Sequence, residues 1–264
     1  MFEPLTNKTI RIAIKPWLIW QPILHEQYTL VETRFGPISQ WDVSLVTNME
    51  GLFQSAHWIN QDISKWDVSS VTTMQNMFRG ATQFNQDISE WNVSSVINMS
   101  NMFCNASNFV QNISNWNVSS VTDMSCLFRS TNNFNQDISK WNVSNVTNMS
   151  NMFLGSIRFN QNISNWNVAN VTDMSNMFWY AAKFNQDISQ WDTKSVTNMN
   201  NMFYNAFSFN QNISKWNVSK VTNMGNMFHS ALSFNQNISK WNVSSVTNMT
   251  CMFNNAVRFD QDLS

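Results

Sequence analysis

Apolar and polar positions along this chain recur with one fixed period. Tryptophan stands at 41, 66, 91, 116, 141, 166, 191, 216 and 241, a spacing of 25 residues with no slip. With each of these taken as slot 0, slot +5 is always Val (Val46 to Val246), slot +8 always Met (Met49 to Met249) and slot +12 always Phe (Phe53 to Phe253). Slot +11 is Met or Leu, slot +18 is Phe except at Ile59, and slots −3 and −2 are Ile and Ser. The unit reads ISxWxVSxVTNMxNMFxxAxxFNQ followed by Asp or Asn, in about nine copies. Such a register implies one supersecondary unit stacked on itself.

The hydrophobic spacing changes within each unit. Val71, Met74, Met77, Phe78 and Ala81 fall at i, i+3, i+6, i+7 and i+10, which predicts one apolar face of a short helix. Thr72 or Ser70 would cap its free N–H groups. Trp91 and Val93 alternate with polar Asn92, as in a short strand. The predicted fold class is an α/β repeat solenoid of about nine 25-residue coils, each with a short strand and a short helix. Stacking would bury nine of every 25 side chains. With rungs ~4.8 Å apart, nine coils would make a rod of roughly 45 Å. Residues 38–264 form this array, and residues 1–37 are predicted to be an N-terminal helical cap. Ile10, Ala13, Ile14, Trp17 and Leu18 have helical spacing there, with Pro16 expected to kink or end the helix.

The polar slots are as strict as the apolar ones. Slot +20 is Gln throughout (Gln61 to Gln261), and slot +19 is Asn in all but two copies. Identical amides on successive coils predict a ladder that satisfies backbone groups. Slot +21 varies between Asp (Asp62, Asp87, Asp137, Asp187, Asp262) and Asn (Asn112, Asn162, Asn212, Asn237). A calcium row would favour Asp and a glycine-rich spacing, so turn chemistry is the better account.

Composition narrows the function. Net charge is −1 and 12% of residues are charged, which argues against a nucleic-acid binder. Cys104, Cys126 and Cys251 have neither a disulfide-framework nor a zinc spacing. His25, His57 and His229 lie far apart along the array, and no nucleophile motif, phosphate loop or carboxylate pair occurs. The expectation is a chain that is no enzyme and uses no cofactor or metal. No secretory signal or membrane-spanning run is present, so the default expectation is a soluble chain that is not exported.

The motif WNVSSVTNMxxMFxxAxxFNQDIS resembles the 25-residue repeat of Mycoplasma lipoproteins and of BspA-like leucine-rich-repeat surface proteins. The match covers residues 38–264, and the leader LTNKTIRIAIKPWLIW also looks like the segment that precedes such arrays. The resemblance implies a leucine-rich-repeat-like solenoid used for adhesion or protein contact, often at the cell surface, without enzymatic activity.

Variation among the copies marks the surface. It concentrates at slots −1, +13, +14, +16 and +17. In coils five to eight these slots include Leu154, Ile157, Trp179, Tyr180, Tyr204, Phe207, His229 and Leu232, a candidate interaction patch. The competing reading folds these side chains inward as core. The leading function is a non-catalytic scaffold that binds an unidentified protein partner. The alternatives are a structural rod self-associating through its C-terminal coil, and an ice- or glycan-binding solenoid presenting the slot +6 threonines.

Overall fold

A computed structural model describes residues 2–18 and 25–263. From Trp41 onward the chain winds in nine coils, but they are not the coils of the expected α/β solenoid. Among the described residues the helices are α1 (Asn7–Ala13), α2 (Lys15–Leu18), α3 (His25–Phe35) and one 3-10 turn (Ile38–Gln40), all before Trp41. Each junction between coils holds a single parallel bridge, Asn48 to Thr73 to Asn98 and on to Asn248, in place of a strand. The predicted helix and strand of each unit are both replaced by turns.

The backbone explains the correction. Slots +10 and +14 adopt positive φ in every coil, for example Asn101 (58°), Asn105 (60°), Asn151 (60°) and Gly155 (70°). A right-handed helix cannot pass through such residues, and Asn and Gly occupy the left-handed region most readily. Amides at slots +11, +13 and +15 close turns within their own coil, as in Met152 N–H to Met149 O and Ser156 N–H to Phe153 O. Amides at slots +8, +10, +12 and +14 instead donate to the next coil. In the fifth coil Met149, Asn151, Phe153 and Gly155 donate to the carbonyls of Asp173, Ser175, Met177 and Trp179 at 2.7–3.0 Å. The same four bonds recur at every junction. The apolar spacing that suggested a helix is that of successive three-residue turns, so the same side chains still face inward.

The threonines at slot +6 do not cap helices. The amide and hydroxyl of Thr72 both donate to Thr47 O, and the pairing recurs from Thr122 to Thr247, while Ile97 between them donates its amide alone. Every slot 0 indole from Trp66 to Trp241 donates to the Ile carbonyl 28 residues earlier, at 2.8–3.1 Å. The core runs unbroken along the stack. Phe178, for instance, lies 3.9 Å from Phe184 between ring centroids and 5.7 and 5.6 Å from Phe153 and Phe203. Each residue thus contributes to the interface on both sides of its own coil, which no single unit could bury alone.

Ring spacing shows a taper across the stack. Phenylalanines at slot +18 stand 5.9–6.3 Å apart from coil to coil, and those at slot +12 stand 5.3–5.9 Å apart. At slot +13, outside the hydrogen-bonded ladder, Trp179–Tyr204 and Tyr204–His229 close to 5.0 and 4.4 Å.

The amide ladder expected from the invariant polar slots is present. Asn60, Asn85, Asn135, Asn160, Asn185, Asn210 and Asn235 each accept, through Oδ1, the slot +19 backbone amide of the next coil. The series skips Asn135 N–H, because the residue below it is Val110, which has no acceptor. Gln side chains such as Gln111 and Gln211 donate into the same groups. At slot +21 both Asp62 and Asn112 accept the amide two residues on through Oδ1, the atom they share. That is the turn chemistry expected there.

In the leader, α1 ends at Ala13 and Pro16 sits in the first turn of α2, where its missing N–H costs nothing. The leader imitates a preceding coil. Asn7 Oδ1 accepts the amides of Thr47 and Asn48, and the Arg11 guanidinium donates to Glu50 O and Asn48 Oδ1. Trp17 packs edge-on against Trp41, 5.2 Å away. At the other end, Val243, Met249 and Val257 of the last coil are exposed, around a shallow cavity of about 140 Å³ lined by Trp241, Met252, Phe253 and Leu263.

Candidate interaction ridge

Slots +13 to +17 follow the ladder, and their carbonyls and amides are fixed by it. Ser130, Gly155, Tyr180 and Asn205 donate to the carbonyls of Leu154, Trp179, Tyr204 and His229, respectively, at 2.7–2.9 Å. These four slot +13 side chains therefore stand on consecutive rungs of a rigid backbone. The core slots beneath them are already filled by Phe153, Phe178, Phe203 and Phe228, which are fully buried. With no room inward, Leu154, Trp179, Tyr204 and His229 remain half-buried on the outside.

The column is packed against itself. Trp179 meets Tyr204 at 5.0 Å and a tilt of 44°, and Tyr204 stacks on His229 at 4.4 Å and 4°. His229 Nδ1 is buried without a hydrogen-bond partner among the described residues. A second pair lies alongside. Tyr180, held at φ 57°, meets Phe207 edge-on at 5.6 Å. Ile157 and Phe207 are half-buried, while Tyr180 and Leu232 are exposed at 44% and 39%. All eight sequence-selected residues thus lie on one ridge of four adjoining coils, neither folded into the core nor fully free.

Sequence reasoning did not see what fills the same column nearer the N-terminus, which is Arg79, Cys104 and Arg129. Cys104 is buried and Cys126 half-buried, and neither forms a disulfide. Burial, then the neighbouring Cys126 sulfur, pushes the Cys104 thiol up; burial also raises Cys126. The guanidinium groups of Arg79 and Arg129 pull both thiols the other way, and burial wins. Thiols held protonated in this way are poor nucleophiles.

The histidines are not brought together. His57 is exposed in the first coil beside Trp58, His229 is in the eighth, and the His25 side chain lies outside the described residues. Among the described residues no three His, Cys, Asp or Glu side chains gather as a metal site. No helix among them is long and apolar enough to cross a membrane.

A stack of identical turn-built coils with one irregular aromatic ridge defines a tandem-repeat protein. The chain belongs to the DUF285 family, described as Mycoplasma protein of unknown function, whose model matches residues 24–129, 105–206 and 185–264. That establishes the Mycoplasma-type repeat; the narrower BspA-like assignment does not follow from it. No curated protein and no solved structure matches the chain.

Proposed function

We propose that the chain is a non-catalytic repeat scaffold that holds a protein partner along this ridge, in the manner of an adhesin. One observation carries the reading. Aromatic side chains that could have been polar at no cost to the core are clustered, half-buried or exposed, along one ridge of a repetitive array. The resemblance of the repeat to that of BspA-like surface proteins supports the same role. The slot +6 threonines fit ice or glycan binding less well, because their hydroxyl protons are engaged by the preceding coil. Self-stacking through the last coil meets an electrostatic obstacle. Two copies brought face to face there would present the same outward amides of Met249, Cys251, Phe253 and Asn255 to one another.

The test replaces Trp179 and Tyr204 together with Ser. Retention of native proteins on the immobilised chain should be lost while the unfolding midpoint stays near that of the parent. Unchanged retention, or loss of the fold, contradicts the proposal.

A further inference from the structure

Charge on the ridge is segregated in a way the chain's overall balance hides. Across the nine coils, slots +13 to +17 hold Arg79, Arg129, Arg158, Lys183 and Arg258 and no acidic residue, in a chain of net charge −1. Arg79, Arg129, Arg158 and Lys183 are exposed. None of these four takes part in the ion pairs found among the described residues, which are Arg34–Glu3 and Lys194–Asp192.

The ridge also changes character along its length. Slot +13 runs Arg79, Cys104, Arg129 and then Leu154, Trp179, Tyr204, His229. Slot +16 changes at the same coil, from Thr82, Ser107 and Asn132 to Ile157, Ala182, Phe207 and Leu232. Coils two to four thus offer guanidinium groups outside any ion pair on a polar ground, and coils five to eight offer apolar and aromatic surface at slots +13 and +16, bordered at slot +17 by Arg158 and Lys183.

We propose that this two-part ridge docks an extended, acidic-apolar segment of a partner protein. Apolar side chains of the segment lie along Leu154 to Leu232, and its carboxylates reach Arg79 and Arg129. The inference rests on the protein-contact reading above and adds the partner's chemistry and polarity to it. Guanidinium groups that form no ion pair among the described residues are matched by forked carboxylate acceptors, and the adjoining aromatics supply the desolvated anchor. Six rungs separate Arg79 from His229, which at ~4.8 Å each is about 29 Å, the reach of about nine extended residues. Single-stranded nucleic acid also seeks cations beside aromatics, but its bases need free ring faces. Both faces of Tyr204 are occupied, by Trp179 and His229.

A phage-displayed library of random ten-residue peptides, selected on the full chain, tests this. Selected sequences should carry Asp or Glu at one end and large apolar residues at the other. As labelled synthetic peptides they should bind about tenfold more weakly to the Arg79→Ala, Arg129→Ala double variant and lose affinity as salt is raised. Peptides that depend on Trp179 and Tyr204 but not on the arginines overturn this inference and leave the contact reading standing. Peptides indifferent to both sets, or none selected at all, overturn both. A labelled oligothymidylate that binds in competition with the peptides, and depends on the same arginines, assigns the ridge to nucleic acid and overturns the proposal.

Discussion

Replacing Asn101 and Asn151 by Ala, or alternatively by Gly, separates a turn-built coil from a helical one by the sign of the result. Both residues occupy slot +10 with φ of 58° and 60°, and neither side chain makes a hydrogen bond among the described residues. An L-residue held in the left-handed region costs ~1–2 kcal/mol, which Gly avoids. Gly gives back ~0.5–1 kcal/mol through its greater freedom in the unfolded chain. The Gly form should therefore be the more stable by about 0.5–1 kcal/mol per site. The two positions lie two coils, ~10 Å, apart and should be nearly additive, for about 1–2 kcal/mol in all. In a helix the order reverses, with Ala favoured by ~1 kcal/mol per site. Urea unfolding followed by tryptophan fluorescence measures the difference. A double-Ala protein more stable than the double-Gly one would refute the turn assignment.

Other outcomes follow from the ladders. Val110→Asn supplies the acceptor missing beneath Asn135 N–H and should stabilise the fold by ~0.5–1.5 kcal/mol in the same assay. Trp141→Phe removes one of the two donors to Ile113 O, the Trp116 amide remaining, and should destabilise by ~0.5–1.5 kcal/mol. The carboxylates of Asp62, Asp87, Asp137 and Asp187 are held below their usual range by the amide and hydroxyl of the Ser two residues on. A pKa lower in the folded than in the unfolded state gives stability that is complete above the unfolded value and is lost as pH falls through the folded one. Changing these four Asp to Asn should leave neutral-pH stability nearly unchanged and flatten the acid limb of a melting-temperature profile. An unaltered acid limb would show that these turns do not depend on the charge.

Much of the stack is legible in the sequence because the same side chain must pack against its copies above and below. The Trp, Val, Met and Phe slots therefore stay fixed, as does the Gln of the amide ladder, while its Asn gives way at Val110 and Asp260. The helix was misread for a physical reason. Successive three-residue turns place Val71, Met74, Met77, Phe78 and Ala81 inward at intervals that a 3.6-residue helix also satisfies. The discriminating signal lay in the polar slots between them. Asn76, Asn101, Asn151, Asn176, Asn201 and Asn226 recur where φ is positive, and slot +14 is Gly, Asn or Ser in every coil but the sixth, where Tyr180 stands. Read as helix surface, those residues carry no meaning; read as left-handed turn residues, they forbid the helix. The ridge is legible through its variation at slot +13; Arg79 and Arg129 share that slot, but their lack of an ion-pair partner shows only in the stacked coils.

The turn-built ladder is the claim on which the ridge's spacing and rigidity depend. Through-hydrogen-bond scalar coupling, measured by NMR on the deuterated protein, reads it directly. The Phe153 amide should correlate with the Met177 carbonyl in the next coil, where the two are 2.9 Å apart. A correlation from Phe153 to the carbonyl of Met149 would instead be the bond of an α-helix and would contradict the account.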